Sequence, residues 1–394
     1  MKFNDVKECR CCGSVLPQNP LITLNDMPKS AQNFPVQETL EKDSGVDLNL
    51  FQCKFCGTIQ LTGAPVPYYR DVIRAVGVSS EMKKFRLHQF QNWVDENSLV
   101  GKKVLEVGCG TGDYLDIMNK TGVVAYGLEN NFNSVKIATD KGLNVYQGFI
   151  ENEHTNIENM PFDAFFILNF LEHIPDPKKF LRGILSNLTD NAVGLVEVPN
   201  MDMILRENLY SELIQDHLLY FTKDTLTRLL ECNGFEVLRC RTILNEYVLS
   251  AEIKKRRSTN IDGFIENRKT LQVSVNSFFE RMKSHGIKIA VWGAGHQALA
   301  NISLLGMKNY VTCVLDSASF KQNKFTPATH LPIFSPDVLS NKEIGAVLIM
   351  GGSYSQEINN ILKQKYPHVI RAIMTPQGVD CDDERFLDEG ISVK

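Results

Sequence analysis

The chain has 394 residues, 43% of them hydrophobic and 22% charged, with a formal net charge of -4 and a pI near 6.1. That is the balance of an ordinary globular protein of two or three domains, and it leaves no basic footprint for a polyanion. No apolar run approaches the ~20 residues that cross a bilayer, and the amino terminus lacks the apolar stretch of a secretory signal. Ten cysteines without an export signal suit metal ligation and core packing better than a disulfide framework. A cytoplasmic protein is expected, with neither nucleic acid nor membrane as partner.

Residues 1–66 are punctuated by Pro and Gly and hold too few apolar residues for a core of their own, so a small β-rich unit held by a metal is expected. Cys9-x-x-Cys12 and Cys53-x-x-Cys56 each aim two sulfurs at one point, and together they make the tetrahedral four-sulfur shell that zinc prefers. Gly13 and Gly57 suit the tight turns that follow each pair, while Cys11 falls outside the knuckle spacing. Four thiolates leave no open position for a catalytic water, so this zinc is expected to be structural.

Residues 67–256 change texture. A helix is predicted from Ser80 to about Glu96, then a strand Lys103–Val107, a glycine turn, a helix Asp113–Lys120 and a strand Val123–Leu128. Further strands are predicted at Ala164–Leu168, Val193–Val198, Glu236–Thr242 and Tyr247–Lys254. Alternation of this kind means an α/β fold, a mostly parallel sheet with helices on both faces. The first strand runs into Gly108-x-Gly110-x-Gly112, where glycines permit the turn and close backbone approach, and the next helix offers free N–H groups. With Glu106 two residues earlier, the segment resembles the E/D-x-G-x-G-x-G motif of class I S-adenosylmethionine (SAM)-dependent methyltransferases.

That resemblance implies a set of cofactor-binding residues. Glu106 would pair with the amino group of the methionine portion. Glu129 at the end of the second strand, beside Asn130, would accept the ribose hydroxyls. Phe149 falls where such folds contact the adenine and serves either as a stacking ring or as a core aromatic. Asn169 and Phe170 follow the fourth strand at the cofactor edge. His173, in the same segment, either faces the bound ligands or closes a helix start.

Residues 257–394 begin with a helix whose apolar positions include Ile261, Phe264, Ile265, Leu271, Val275, Phe278 and Phe279. A second strand–glycine turn–helix follows at Lys288–Gly295, predicting a Rossmann-like unit. The order of a cysteine-knuckle unit, a class I domain and this unit resembles the sugar C-methyltransferases that act on nucleotide-linked 4-keto-deoxysugars. Asp316-x-x-x-x-Lys321-Gln322 with Pro327 is similar to a segment of that family, as is Gly293-Ala-Gly295 before it.

Gln215-Asp216-His217 followed by Tyr220-Phe-Thr222 is similar to the family's D-E-H-x-x-x-F-S stretch. The resemblance implies that His217 is the base that forms an enolate beside the ketone, with Asp216 orienting it and Tyr220 on the substrate side. It also implies that Gly293, Gly295, His296, Gln297, Lys321 and Asn323 position the nucleotide diphosphate. The chain departs from the family at Ile214, which replaces a tyrosine, at Asp216 for glutamate, and at Leu244–Glu246 for a glycine pair. Residues 70–80 lack the family's tyrosine, and Tyr68 and Tyr69 lie upstream, out of register. The acceptor atom therefore stays open between carbon, in a nucleotide-linked keto-sugar, and oxygen or nitrogen in such a sugar or another small polar metabolite. A non-catalytic SAM-binding protein is a third reading. The chain is expected to be a monomer or a homodimer.

Overall fold

The computed structural model describes residues 7–32, 34–71 and 78–381. The chain divides into two compact units, Met1–Ser258 and Thr259–Lys394.

The first unit opens with three antiparallel strands, β1 (Ile22–Met27), β2 (Val46–Gln52) and β3 (Ile59–Leu61). Period-two alternation in β2 turns Leu48 and Leu50 inward, where they join Ile59 and Leu61. The two cysteine loops close through Gly13 and Gly57, whose amides donate to the carbonyls of Cys9 and Cys53. Both glycines have left-handed φ, +79° and +80°.

The rest of this unit alternates: α1 (Ser80–Glu96), β4 (Lys103–Val107), α2 (Asp113–Asn119), β5 (Val124–Glu129), α3 (Phe132–Asp140), β6 (Asn144–Gln147) and β7 (Phe162–Leu168). Then come α4 (Pro177–Ser186), β8 (Leu188–Pro199), α5 (Met201–Arg206), β9 (Leu219–Tyr220), α6 (Lys223–Cys232), β10 (Phe235–Ile243) and β11 (Val248–Lys255). Short polar side chains start the helices: Ser79 caps α1, Asn131 caps α3, Asp176 caps α4 with Pro177 in its first turn, and Thr222 caps α6. The strand order is β10-β11-β8-β7-β4-β5-β6, with β11 antiparallel to both neighbours and the others parallel. This is the class I methyltransferase fold expected from the sequence. Its strand order reverses between β4 and β7, the place where such sheets open a crevice for ligands.

Strand β8 begins at Leu188, five residues before its apolar run, because Leu188 pairs with Phe162 ahead of an irregularity in register. Strand β9 does not join the central sheet. It pairs with β3, so the amino-terminal sheet is β1-β2-β3-β9 and is completed by residues far down the chain.

The second unit contains α7 (Asp262–Ser284), β12 (Ile289–Trp292), α8 (His296–Leu304), β13 (Val311–Leu315), β14 (Lys324–Phe325) and β15 (Pro332–Phe334). It ends with β16 (Ala346–Ile349), α9 (Ser355–Lys365), β17 (Ile370–Thr375) and β18 (Gly378–Cys381). The sheet order is β14-β15-β13-β12-β16-β17-β18, with the five inner strands parallel and both edge strands antiparallel. Val275, Phe278 and Phe279 of α7 enter the core with Met282. Ile261, Phe264 and Ile265, which the pattern assigned to the same stripe, are 52%, 80% and 50% exposed. The stripe is longer than the sheet surface it covers. Among the described residues no helix is long and apolar enough to cross a membrane.

Candidate active site

The glycine turn leaves β4 at the reversal point. Gly108, Gly110 and Gly112 all have left-handed φ, at +76°, +55° and +80°. A Cβ on Gly112 would lie 2.4 Å from Leu143 Cδ1, so that position has neither the torsion nor the room for a side chain. Glu129, 1% exposed, accepts from the Gly110 amide at 2.9 Å and from the Asn131 amide at 2.8 Å. It thus ties the end of β5 to the glycine turn. Glu106 is equally buried on β4.

The segment before α1 lies over this crevice. Asp71 accepts from Asn130 Nδ2 at 2.6 Å and from Asn131 Nδ2 at 3.3 Å. The Arg70 guanidinium stands 5.0 Å above the Phe149 ring and pairs with Glu151 at 2.7 Å. Tyr69 meets Phe149 edge-on at 5.9 Å, and Phe149 also packs against Phe180. Phe149 therefore faces the crevice and the core at once. Arg70, Phe149, Val107, Gly108, Asn130 and Phe170 line a cleft here of about 10 Å³.

Asn169 and Phe170, at the carboxyl end of β7, open a second cavity of about 210 Å³. Asn169 holds a left-handed φ of +52° while its amide donates to the Glu197 carbonyl at 2.9 Å. The other walls include Tyr68, Tyr69, Asp71, His173, Asp216 and His217. The His173 and His217 rings meet at 4.9 Å, and His173 Nδ1 lies 2.9 Å from the Asp216 carbonyl. Burial, reinforced by His173, pushes the His217 imidazole down to about 3, so the ring is neutral. Burial likewise lowers His173 and raises the carboxyl of Glu172 to about 8. The Leu218 amide donates to the Glu172 carbonyl at 2.9 Å, which locks the two histidine-bearing segments together.

The Asp216 carboxylate does not turn to the His217 ring. It accepts from the Tyr68 hydroxyl at 2.6 Å and from the Ala31 amide at 3.0 Å. Tyr68, out of register in the sequence, is thereby a pocket residue, while Ile214 lines the wall where the family has tyrosine. Tyr220 is buried, and its hydroxyl is taken by the amide and carbonyl of Ile214, both at 3.1 Å. Residues 72–77, within the stretch where the resemblance places a tyrosine, lie outside the described residues.

The four knuckle cysteines come together, with Cys9 Sγ 3.5 Å from Cys56 Sγ and Cys12 Sγ 3.6 Å from Cys53 Sγ. Sulfurs bonded at ~2.3 Å to one tetrahedral ion stand about 3.8 Å apart, so the thiols fit such an ion. Cys11 is buried outside this set. Arg10, inside the first knuckle, is buried too. Its guanidinium donates to the carbonyls of Leu61, Gly63 and Pro175, fastening the knuckle to the segment that carries His173. Nothing in the sequence pattern marks Arg10 for that task.

In the second unit a cavity of about 580 Å³ opens where the order of β12, β13 and β16 reverses. Gly293, Gly295, His296, Gln297 and Lys321 line it, with Asp316, Gly351, Gly352 and Tyr354. A Cβ on Gly293 would stand 2.6 Å from the Met350 carbonyl oxygen. Asp316 accepts from the amides of Ala294 and Ala318 and from Lys321 Nζ, all within 2.9 Å. Asn323 is exposed, lies outside the lining, and uses its amide on the Ile333 carbonyl.

Residues 82–239 match the family model described as a methyltransferase domain, and residues 247–374 match the C-methyltransferase C-terminal domain. The chain is 21% identical over 388 residues to the C-methyltransferase NovU of Streptomyces niveus, covering 90% of this chain and 91% of that protein. It is 37% identical over 100 residues to a ubiquinone biosynthesis O-methyltransferase of Pseudomonas putida (strain W619), 23% of this chain and 42% of that one. Among solved structures, magnesium protoporphyrin IX methyltransferase of Synechocystis PCC 6803, with bound SAH, overlaps 47% of this chain and 90% of its own at 16% identity and a TM-score of 0.37.

Proposed function

The chain belongs to the sugar C-methyltransferase family of SAM-dependent enzymes, and on that premise we propose that it methylates the carbon beside the ketone of a nucleotide-linked keto-deoxysugar. The observation that carries the reading is a half-buried, neutral His217 in a cavity that shares Phe170 with the cleft at the glycine turn. SAM, when bound, supplies a methyl group on a sulfonium. Glu106, Glu129, Asn130 and Phe149 would hold it against the turn of Gly108, Gly110 and Gly112. His217 would take the proton from the carbon beside the ketone, and the enolate charge forming next to the ring would raise the imidazole's hold on that proton. Asp216 would act at one remove, by holding Tyr68 in the wall. His173 would face the same ligand.

The three-part division at 1–66, 67–256 and 257–394 belongs to the same reading. Zinc would sit among Cys9, Cys12, Cys53 and Cys56 and hold the first part. The cavity lined by Gly293, Gly295, His296, Gln297 and Lys321 would take the diphosphate of the substrate, in a cytoplasmic enzyme. Asn323, outside that cavity, has no part in it. A second reading, O- or N-methylation of a small polar metabolite, is favoured by Ile214 in the wall and by Leu244–Glu246 in place of glycines.

The test is methyl transfer from SAM to a panel of nucleotide-linked 4-keto-6-deoxysugars in deuterated water, with His217→Ala beside the parent. Gain of one methyl, with deuterium exchange beside the ketone that is lost in the variant, is the expected result. A protein that binds SAM yet gives neither product nor exchange across the panel would move the assignment to O- or N-methylation.

A further inference from the structure

We propose that Arg70 competes with the adenine of SAM for the ring face of Phe149, and so sets how tightly this chain holds its cofactor. The inference rests on the assignment of Phe149 to the adenine side. The Phe149 ring packs against Phe180 at 5.8 Å and meets Tyr69 edge-on at 5.9 Å. The Arg70 guanidinium lies over the same ring, with its carbon 5.0 Å from the centroid. A flat base lies about 3.5–4.0 Å from each group it stacks on, so a base between ring and guanidinium would need them ~7 Å apart. At 5.0 Å they enclose no such space, and a base that stacks on Phe149 displaces the guanidinium from it.

Two further residues hold the guanidinium in this place. Arg70 Nε donates to the Tyr69 hydroxyl at 3.0 Å, the charge pairs with Glu151 at 2.7 Å, and the group also stands 5.5 Å from the centroid of the Tyr69 ring. The Arg70 and Glu151 side chains are 40% and 51% exposed, so solvent screens the pair, and a cation–π contact at an exposed site is modest too. The guanidinium therefore covers the ring yet yields to a ligand. It has room to withdraw. Arg70 lines the cleft of about 10 Å³ at the glycine turn and also a cavity of about 680 Å³ whose walls include Tyr69 and Glu151. Withdrawal into that cavity uncovers Phe149. An exposed side chain reorients far faster than a ligand arrives, so the covered fraction lowers the apparent affinity and the association rate alike.

Binding of S-adenosylhomocysteine to the full chain, by calorimetry and surface plasmon resonance, tests the competition. This ligand carries no sulfonium charge, so loss of a nearby cation does not by itself attract it. Arg70→Ala should bind it roughly three- to tenfold more tightly, with association faster by a similar factor. Adenosine, which has the base and ribose alone, should show the same gain. Phe149→Leu should weaken binding, and in that background Arg70→Ala should bring no further gain, because no ring is left to compete for. Loss of a merely structural contact would lower affinity instead. Unchanged or weaker binding by Arg70→Ala, with Phe149→Leu still weakened, would overturn the proposal and leave Phe149 on the adenine side. Unchanged binding by Phe149→Leu would overturn both. Should Phe149→Leu fail to fold, the half-exposed Arg70→Ala decides alone, by whether affinity rises.

Discussion

The proposed cofactor cleft and the proposed acceptor pocket adjoin each other at Phe170, yet they are built in different ways. The cleft takes Glu106, Glu129 and the glycine turn from the ends of neighbouring parallel strands, so short stretches of sequence carry their own geometry. The acceptor pocket draws on residues 30–32, 66–71, 169–173 and 214–217, and its Tyr68–Asp216 bond spans 148 residues. The difference teaches that, on the proposed reading, cofactor binding rests chiefly on one turn and the strand ends beside it, while acceptor recognition depends on contacts made at long range. Substitutions should separate the two.

The sharpest separation is expected at His217. His217→Ala should lower kcat by roughly 10²–10⁴-fold, with SAM affinity from calorimetry unchanged; a comparable loss of SAM affinity would merge the two regions. Removal of the proposed zinc from the cysteine cluster comes next. Strong chelation should unfold β1–β3 and with them the wall that holds Tyr68, seen as loss of β-type circular dichroism and of acceptor binding while SAM binding survives. Glu129→Ala should act in the opposite compartment. It leaves the Gly110 and Asn131 amides without their acceptor, at about 1–3 kcal/mol, and should weaken SAM binding tenfold or more with little change in acceptor KM.

Glu172 offers a pH test of the segment that carries His173. Burial raises its carboxyl to about 8 against an ordinary 4.5, so the folded chain holds this proton more tightly than the unfolded one. Its contribution is therefore fully present below pH 4.5 and is lost as pH rises toward 8. Glu172→Gln should remove that slope, gaining on the order of a few kcal/mol at pH 8 relative to pH 5 in denaturant titrations. The last comparison is Tyr68→Phe, which removes the hydroxyl's hydrogen bonds to Asp216, Ser30 and the Gln32 amide, at about 1–3 kcal/mol. Acceptor KM should rise several-fold with SAM affinity intact.

The legible parts of the molecule follow the same division. The strand–glycine turn–helix of β4 and α2 was readable because its apolar run, its glycines and its following helix are contiguous, and the knuckle cysteines because metal spacing is local. Tyr68 was set aside for being out of register, although a phenol can reach a pocket from any backbone that passes it. Arg10 and Glu172 carried no signal, since a buried charge looks like a surface charge until its surroundings are known. Asn323 sat in a family-like segment, but its left-handed turn leaves it exposed and outside the cavity.

By itself the sequence determined the alternation of strands and helices, the glycine turn that marks the cofactor side and the four cysteines that gather in one cluster. The glycine turn and each Cys-x-x-Cys pair depend on neighbours within a few residues, and the shared demand for one four-sulfur shell joins the pairs. Only the tertiary structure decided that Asp216 holds Tyr68 and not His217, that β9 completes the amino-terminal sheet, and that His173 and His217 meet in one wall. Those outcomes depend on which distant segments meet, and the meeting is set by the packing of whole sheets.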